Sequence, residues 1–207
     1  MTLLEFWLRG VGLGVAAAGA PGPLQAFLIS ESLAGGWRRG LPVTLAPLIS
    51  DAPIVIVMTF LLGQLPAIAI HSLNLAGGFF VFYLAWGVWR EWRHPVTGQQ
   101  PTAPPRSGLR RAVLMNLLSP GPYLFWGLIN GPLLLSAWQQ SAAHAVLFLL
   151  GFYGVFLTGM MLMVCVFHQA RRLGPRLVRS LMLLSILLLL VFGCLLWQEG
   201  LSGIFHF

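Results

Sequence analysis

The chain has 207 residues, of which 57% are hydrophobic and 8% are charged. Soluble domains carry roughly a quarter charged residues, so this composition excludes a protein that faces water on all sides. The net charge of +7 would suggest a nucleic-acid partner in a soluble chain, but here the arginines form short clusters between apolar stretches and no nucleic-acid-binding motif accompanies them. We therefore predict an all-α integral membrane protein that binds no nucleic acid.

Six apolar stretches approach or exceed the length of about 20 residues that a helix needs to cross a bilayer. They cover residues 6–32, 41–63, 73–89, 112–137, 143–168 and 177–198. The Pro-, Gln- and Thr-rich stretch 93–108 has the composition of a solvated linker. It divides the chain into a first half, residues 1–92, and a second half, residues 109–207, with three predicted spans each.

The distribution of arginine predicts the orientation. All of the 12 basic residues except Arg9 lie in or beside the connections after the first, third and fifth apolar stretches. The positive-inside rule puts those connections in the cytoplasm and both termini outside. Because each half has an odd number of spans, two homologous halves are inverted relative to each other. We predict two inverted three-helix repeats in a bacterial inner membrane.

A Pro-Gly-Pro tripeptide interrupts both the first and the fourth apolar stretch. Its residues are Pro21, Gly22 and Pro23 in the first, and Pro120, Gly121 and Pro122 in the fourth. Proline lacks a backbone donor and collides with the carbonyl four residues earlier, so it frees carbonyl groups such as that of Ala17. Within hydrocarbon, freed carbonyls persist only where protein buries them or water reaches them. Two interpretations stay open: tightly packed kinks, or two broken helices that meet near the midplane and line a transport cavity, which paired breaks favour.

Asp51 lies near the middle of the second apolar stretch. A carboxylate at that depth costs at least about 2.5–3.5 kcal/mol, and such residues usually serve function. Burial disfavours the charged form, which suits a group that takes up and releases a proton. The alternative is a structural hydrogen bond to freed backbone or to Asn116. Gln25, one turn beyond the first break, is a candidate to face the same cavity.

Other residues have weaker assignments. Further candidate lining groups are Asn74, Asn116, Asn130 and Thr158. Glu31 is expected to pair with the Arg38/Arg39 loop or to extend to the membrane surface there. Glycines predicted to permit close helix packing are Gly10, Gly12, Gly14, Gly77, Gly78, Gly151 and Gly154. The chain shows no nucleophile–base pair, phosphate loop or metal-ligand cluster, so we predict no enzyme activity, cofactor or metal.

Four motifs occur together: GAPGP in the first apolar stretch, GWRRG in the loop after it, LISD in the second stretch and NLLSPGPYLFW in the fourth. The set resembles the LysE-type (LysE/RhtB) amino-acid exporter family, and the likeness covers nearly the whole chain. The resemblance implies an inner-membrane exporter of amino acids or similar metabolites that is driven by the proton gradient. By position, the resemblance assigns to the transport site Pro21, Gly22, Pro23, Asp51, Asn116 and Pro120.

The sequence also departs from that family. Its fourth stretch has Pro-Gly-Pro where a single proline is more usual, and Phe125 where exporters of basic amino acids can carry an acid. With Asp51 as the only deep carboxylate, we expect a neutral zwitterion or a more apolar metabolite rather than a dication. The expected partners are this substrate, protons and the lipid bilayer, with a homodimer left open. The alternatives are a channel or lipid translocator without proton coupling, and a membrane scaffold whose breaks are dry and fully packed.

Overall fold

The structure is a computed structural model that describes residues 2–20, 22–60, 67–93, 105–171 and 174–205. These ranges are helical, with no strand among them. The helices are α1 (Leu3–Gly19), α2 (Pro23–Gly35), α3 (Trp37–Thr44), α4 (Ala46–Phe60), α5 (Ala67–Arg93), α6 (Pro105–Leu118), α7 (Pro120–Phe125), a π-helical segment (Trp126–Asn130), α8 (Gly131–Gln140), α9 (Ala142–Ala170) and α10 (Pro175–Phe205).

The helices coincide with the predicted apolar stretches. Three segments are long and apolar enough to cross a membrane, namely Trp37–Met58, Ala142–Ala170 and Arg176–Ser202. Two bent pairs raise that number to five if each is one span: α1 with α2 at 64°, and α6 with the helix up to Gln140 at 59°. The apolar part of α5, Leu75–Arg90, is shorter. An all-α membrane protein is therefore confirmed, and the number of spans stays a prediction.

Several helices extend beyond the predicted bounds. Helix α5 continues to Arg93 and α6 begins at Pro105, so helix enters the predicted linker 93–108 from both ends. Proline is favourable at the first position of a helix, where its missing N–H would have no helical partner anyway. Residues 94–104 of that linker, and residues 61–63 of the second predicted span, lie outside the described residues. Hydropathy marks only the part of a helix that lipid covers, which explains the longer helices.

The first break separates two helices and is not a kink in one. Gly22 has an extended backbone (φ −163°, ψ 173°), and Pro23 is the first residue of α2. The side chain of Gln25 crosses the break, where its Nε2 donates a hydrogen bond of 3.2 Å to the carbonyl oxygen of Ala17. This is the carbonyl that the proline four residues later leaves unpaired. Pro21 itself lies outside the described residues.

The second break is similar to the first, but its second helix begins one proline earlier in the tripeptide. Ser119 is extended (φ −89°, ψ 133°), and α7 begins at Pro120, the first proline of its tripeptide rather than the second. The hydroxyl of Tyr123 donates a hydrogen bond of 2.8 Å to the carbonyl oxygen of Leu117. In both breaks, a side chain of the following helix thus satisfies a carbonyl of the preceding one.

Helices of one half pack along helices of the other. Helix α1 lies along α9, and α5 lies along α10. A methyl group at Gly14 would lie 2.5 Å from the carbonyl oxygen of Phe152, and one at Gly10 would overlap the carbonyl of Phe148. The predicted packing role is therefore confirmed for Gly10 and Gly14, and equally for Gly77, Gly78 and Gly151. It is wrong for Gly12 and Gly154, which face open space because they lie on the outer faces of their helices.

This contact predicts different outcomes for two glycines of α1. We expect Gly10→Ala to destabilise the protein by about 1–3 kcal/mol, because its methyl group forces α1 away from α9. Gly12→Ala is the matched control, since it adds the same methyl group in open space. Alanine is also the better helix former by about 1 kcal/mol. Thermal unfolding in detergent, followed by tryptophan fluorescence, compares the two variants, and equal melting temperatures would contradict the close α1–α9 contact.

Candidate functional site

Asp51 lies at the centre of a buried polar cluster. Its residue is only 4% exposed, and both oxygens of its carboxylate accept hydrogen bonds. Asn116 Nδ2 donates to Oδ1 at 3.0 Å, and the Tyr153 hydroxyl donates to Oδ2 at 3.1 Å. A carboxylate of the first half is therefore bound by two donors of the second half, one on α6 and one on α9.

Two further residues complete the cluster. Asn116 Nδ2 also donates to Ser50 Oγ at 2.7 Å, and Ser50 Oγ donates in turn to the carbonyl oxygen of Ala46 at 2.9 Å. The indole of Trp126 is an additional donor to the Asp51 carboxylate, and its ring stacks on Tyr153 with 6.2 Å between centroids. We refer to Ser50, Asp51, Asn116, Trp126 and Tyr153 as the Asp51 cluster.

The second break positions one side of this cluster. Asn116 lies in the last turn of α6, three residues before the extended Ser119. The carbonyl of Leu118, which Pro122 leaves without its helical partner, faces Gly77 of α5, where any side chain would collide with it. The π-helical segment then begins at Trp126. The irregular backbone of the fourth predicted span thus carries two of the donors around Asp51.

No basic side chain among the described residues pairs with the charge of Asp51. Among the described residues, the other buried charged side chains are Glu31 and Arg39, and these two pair with each other. Arg39 Nε lies 2.7 Å from Glu31 Oε2 and Arg39 Nη2 lies 3.0 Å from Oε1, which confirms the predicted pairing of Glu31. A carboxylate bound only by neutral donors retains a place for a proton or for a cationic group of a ligand.

An aromatic wall borders the cluster. Phe152 contacts Trp126 edge to face, with 5.6 Å between ring centroids, and lies 5.0 Å from Tyr153. Phe125 and Phe156 also contact Phe152, with 5.9 and 5.7 Å between ring centroids. The site thus combines one carboxylate, several neutral donors and apolar aromatic surface.

Only part of the predicted site comes together. Asp51 and Asn116 are hydrogen-bonded to each other. This bond agrees with the alternative interpretation, in which Asp51 makes a structural hydrogen bond to Asn116. The described residues of the first break make no hydrogen bond to the cluster, and Gln25 instead bonds to Ala17. The first break packs against α9, where Ala18 meets Gly159, whereas the second packs against α5. Convergence of the two breaks on one site therefore stays a prediction.

The tripeptides themselves occupy helix starts. Gly22 precedes α2 and lies over the Gln25 side chain, since an added methyl group would be 3.0 Å from Gln25 Oε1. Pro23 begins α2, Pro120 begins α7, and Gly121 faces open space. Pro122 follows within the first turn of α7 and is half-buried. These residues shape the backbone and contribute no polar side chain to the cluster.

The remaining candidate lining groups differ from one another. Thr158 is exposed on α9, and its hydroxyl donates to the carbonyl oxygen of Gly154 at 2.6 Å. Asn130 is completely buried at the end of the π-helical segment. Asn74 belongs to α5. Of these residues, Asn130 alone is shown to be a buried polar group.

Sequence reasoning did not select Ser50, Trp126 or Tyr153. The positions of the two aromatic residues are an unusual feature of the sequence. Tyrosine and tryptophan concentrate at the ends of membrane spans, whereas Trp126 and Tyr153 lie well inside apolar stretches. A buried Tyr or Trp usually finds a hydrogen-bond partner, so a mid-span tyrosine points to a buried acceptor such as Asp51. Ser50 gives no comparable signal beyond its place next to Asp51.

The side chains of the Asp51 cluster are hydrogen-bonding groups. The cluster has one carboxylate and hydroxyl, amide and indole donors, which can hold a proton or a polar ligand. The described histidine, cysteine and acidic residues form no group of three that could hold a metal ion. The geometry therefore provides a site for a proton or a small polar molecule.

One comparison with known proteins is informative. The model of the LysE type translocator family matches residues 15–200, a range that contains both breaks and the whole Asp51 cluster. Neither a curated protein nor a solved structure matches the chain. The match to the family model covers most of the chain.

Proposed function

Because the chain belongs to the LysE type translocator family, we propose that it exports a neutral amino acid or amino-acid derivative from a bacterial cytoplasm in exchange for protons. Members of this family are transporters and not enzymes, and the chain is a multi-pass membrane protein. The proposal includes six spans arranged as two inverted halves, with both termini outside the inner membrane. Five candidate spans and the shorter apolar helix in α5 support that arrangement.

The Asp51 cluster is the observation that carries the proposal. Asp51 is 4% exposed, and its carboxylate makes no ion pair with a described residue. A buried charge of this kind is costly unless it is neutralised. A proton and the ammonium group of a substrate can each neutralise it, and they compete for the same oxygens. Alternating occupancy by one or the other gives exchange of protons for substrate.

The surroundings of Asp51 support a substrate with no net charge. The described cluster contains no second acid to match a dication and no basic residue to match an anion. Aromatic faces such as those of Trp126 and Tyr153 attract an ammonium group, by about 0.5–2 kcal/mol, and also accommodate apolar side chains. We therefore propose apolar or aromatic amino acids as the substrate class.

The two breaks support alternating access. In transporters built from two repeats with broken helices, one repeat rocks against the other around a fixed site. Here, one side-chain hydrogen bond crosses each break, from Gln25 in the first and Tyr123 in the second. A rotamer change releases such a bond with little disturbance of the flanking helices. Because the described cluster is buried, access to Asp51 from either side requires a rearrangement of this kind.

Transport by proteoliposomes tests the proposal. We expect vesicles with an acidic lumen to accumulate L-leucine, L-methionine or L-phenylalanine, because outward proton flow drives inward movement of the substrate through an antiporter. Collapse of the pH gradient with nigericin should return uptake to that of empty vesicles, and L-lysine and L-glutamate are the charged controls. Flux that persists with nigericin would favour a channel or an uncoupled translocator, and no flux of any amino acid would contradict the proposed function.

A further inference from the structure

Asn130 is a buried amide that makes no hydrogen bond with the part of the chain that the structure describes. Its residue has no exposed surface, and neither Nδ2 nor Oδ1 has a partner among the described residues. Among the described residues with unpaired buried side-chain atoms, Asn130 alone leaves both a donor and an acceptor nitrogen or oxygen atom unused. Leaving each such group unpaired costs about 1–3 kcal/mol. A group of this kind in a native structure calls for a ligand or a bound water.

The backbone around Asn130 is specialised as well. Asn130 ends the π-helical segment, in which the N–H of Gly131 bonds to the carbonyl of Trp126 rather than to that of Gly127. Single π-helical turns inside α-helices are frequent at functional sites. Trp126, at the other end of the same wide turn, belongs to the Asp51 cluster. Asn130 is thus one turn of helix away from a residue that contacts Asp51.

Helix α4 connects the two positions. Its buried residues Asp51, Ile54 and Met58 recur at the spacing of one helix face. The methyl group of Met58 contacts Gly127, where it would overlap any side chain. The face of α4 that begins at Asp51 therefore continues along the π-helical segment toward Asn130. In the proposed orientation, Asn130 lies on the outer side of the Asp51 cluster.

We propose that Asn130 binds the carboxylate group of the transported amino acid through its Nδ2 donors, while Asp51 binds the ammonium group. This inference depends on the proposed function and adds a specificity-determining residue to it. The donors nearest to Asp51, on Asn116 and Tyr153, are already engaged by that carboxylate. The amide of Asn130 offers two free N–H groups and one free oxygen. A neutral donor there recognises a carboxylate without adding a charge, which suits a substrate with no net charge.

Asn130→Leu tests this role, because leucine has a similar volume and no polar atom. In proteoliposomes with an acidic lumen, we expect the KM for the best-transported of L-leucine, L-methionine and L-phenylalanine to rise roughly 10- to 100-fold, the value of one hydrogen bond to a charged group. We expect kcat to stay near that of the wild type, because the lost contact acts in binding. The ligand-free melting temperature should be equal to or above the wild-type value, because two unpaired groups disappear.

Asn116→Leu is the matched control for that melting temperature. It removes a donor from Asp51 and Ser50, so we expect it to melt below the wild type. A melting temperature of Asn130→Leu as low as that of Asn116→Leu would overturn the inference, because it would reveal a structural partner of Asn130. An unchanged KM in Asn130→Leu would overturn it as well and leave the proposed function intact. Absence of amino-acid transport by the wild type would instead overturn the proposed function, and this inference with it.

Discussion

Replacement of Asp51 by Asn is expected to abolish transport driven by a pH gradient while the protein stays folded. Asparagine has the shape of aspartate, and its oxygen can accept the hydrogen bond from Asn116. Its amide can donate to the Tyr153 hydroxyl oxygen once that hydroxyl rotates. The contacts with Asn116 and Tyr153 thus keep a partner, and the Trp126 indole must share the one remaining oxygen with Asn116. The side chain can no longer take up or release a proton. Uptake into vesicles with an acidic lumen should fall to that of empty vesicles.

Two measurements separate coupling from folding in this variant. The melting temperature of Asp51→Asn should stay close to that of the wild type. Any substrate exchange without a gradient should remain measurable but need a higher substrate concentration, because an amide oxygen binds an ammonium group more weakly than a carboxylate does. Asp51→Ala is the contrasting variant, because it leaves the Tyr153 hydroxyl and the Trp126 indole without their acceptor and Asn116 with Ser50 alone. It should cost about 1–3 kcal/mol of stability for each unpaired group. Wild-type rates of gradient-driven uptake in Asp51→Asn would show that the coupling proton binds elsewhere.

A large loss of folding stability is expected when the buried ion pair on the predicted cytoplasmic side is broken. Glu31 of α2 and Arg39 of α3 face each other because the chain reverses at Gly36, whose φ of 69° is readily adopted by glycine. Helix α6 covers the pair, since a methyl group at Gly108 would lie 3.4 Å from Glu31 Oε2. Removal of one partner from a buried pair leaves an uncompensated charge. We expect Arg39→Gln to lower the free energy of unfolding by about 3–5 kcal/mol.

The neighbouring arginine provides a control of the same type. Arg38 is exposed and lies over the ring of Trp37, with its guanidinium carbon 5.5 Å from the ring centroid. We expect Arg38→Gln to cost less than about 1 kcal/mol. Denaturant titration in detergent micelles measures both variants, and the double variant Glu31→Leu/Arg39→Met should recover part of the loss. Similar losses for the two single arginine variants would mean that the Glu31–Arg39 pair contributes little.

The features that the sequence predicted are those set by local chemistry. Apolar length predicted where the helices lie, because a membrane imposes a minimum length on any helix that crosses it. The prolines predicted both breaks, since the loss of a backbone donor acts within one turn. Glycines within the apolar stretches were predicted to allow close packing, but the sequence did not distinguish Gly10 from Gly12, because the two differ only in the direction that each faces.

The features that the sequence did not predict depend on contacts between residues that are far apart in the chain. Tyr153 reaches Asp51 across 102 residues, and no local pattern joins the two positions. Gln25 was expected at a cavity, whereas its side chain pairs with the Ala17 carbonyl, since a freed acceptor close by is the nearer partner. The π-helical segment from Trp126 to Asn130 was not predicted either.

The packing of first-half helices against second-half helices affects the order in which the protein assembles. Helix α1 packs along α9, and α5 packs along α10, so helices synthesised first find their neighbours among those synthesised last. The glycine surface of α1 therefore stays in contact with lipid, or with other proteins, until α9 has entered the membrane. The contacts of α1 with α9 and of α5 with α10 therefore form only after the second half has been synthesised. The close packing of α1 and of α5 is thus complete only after the last two helices have entered the membrane.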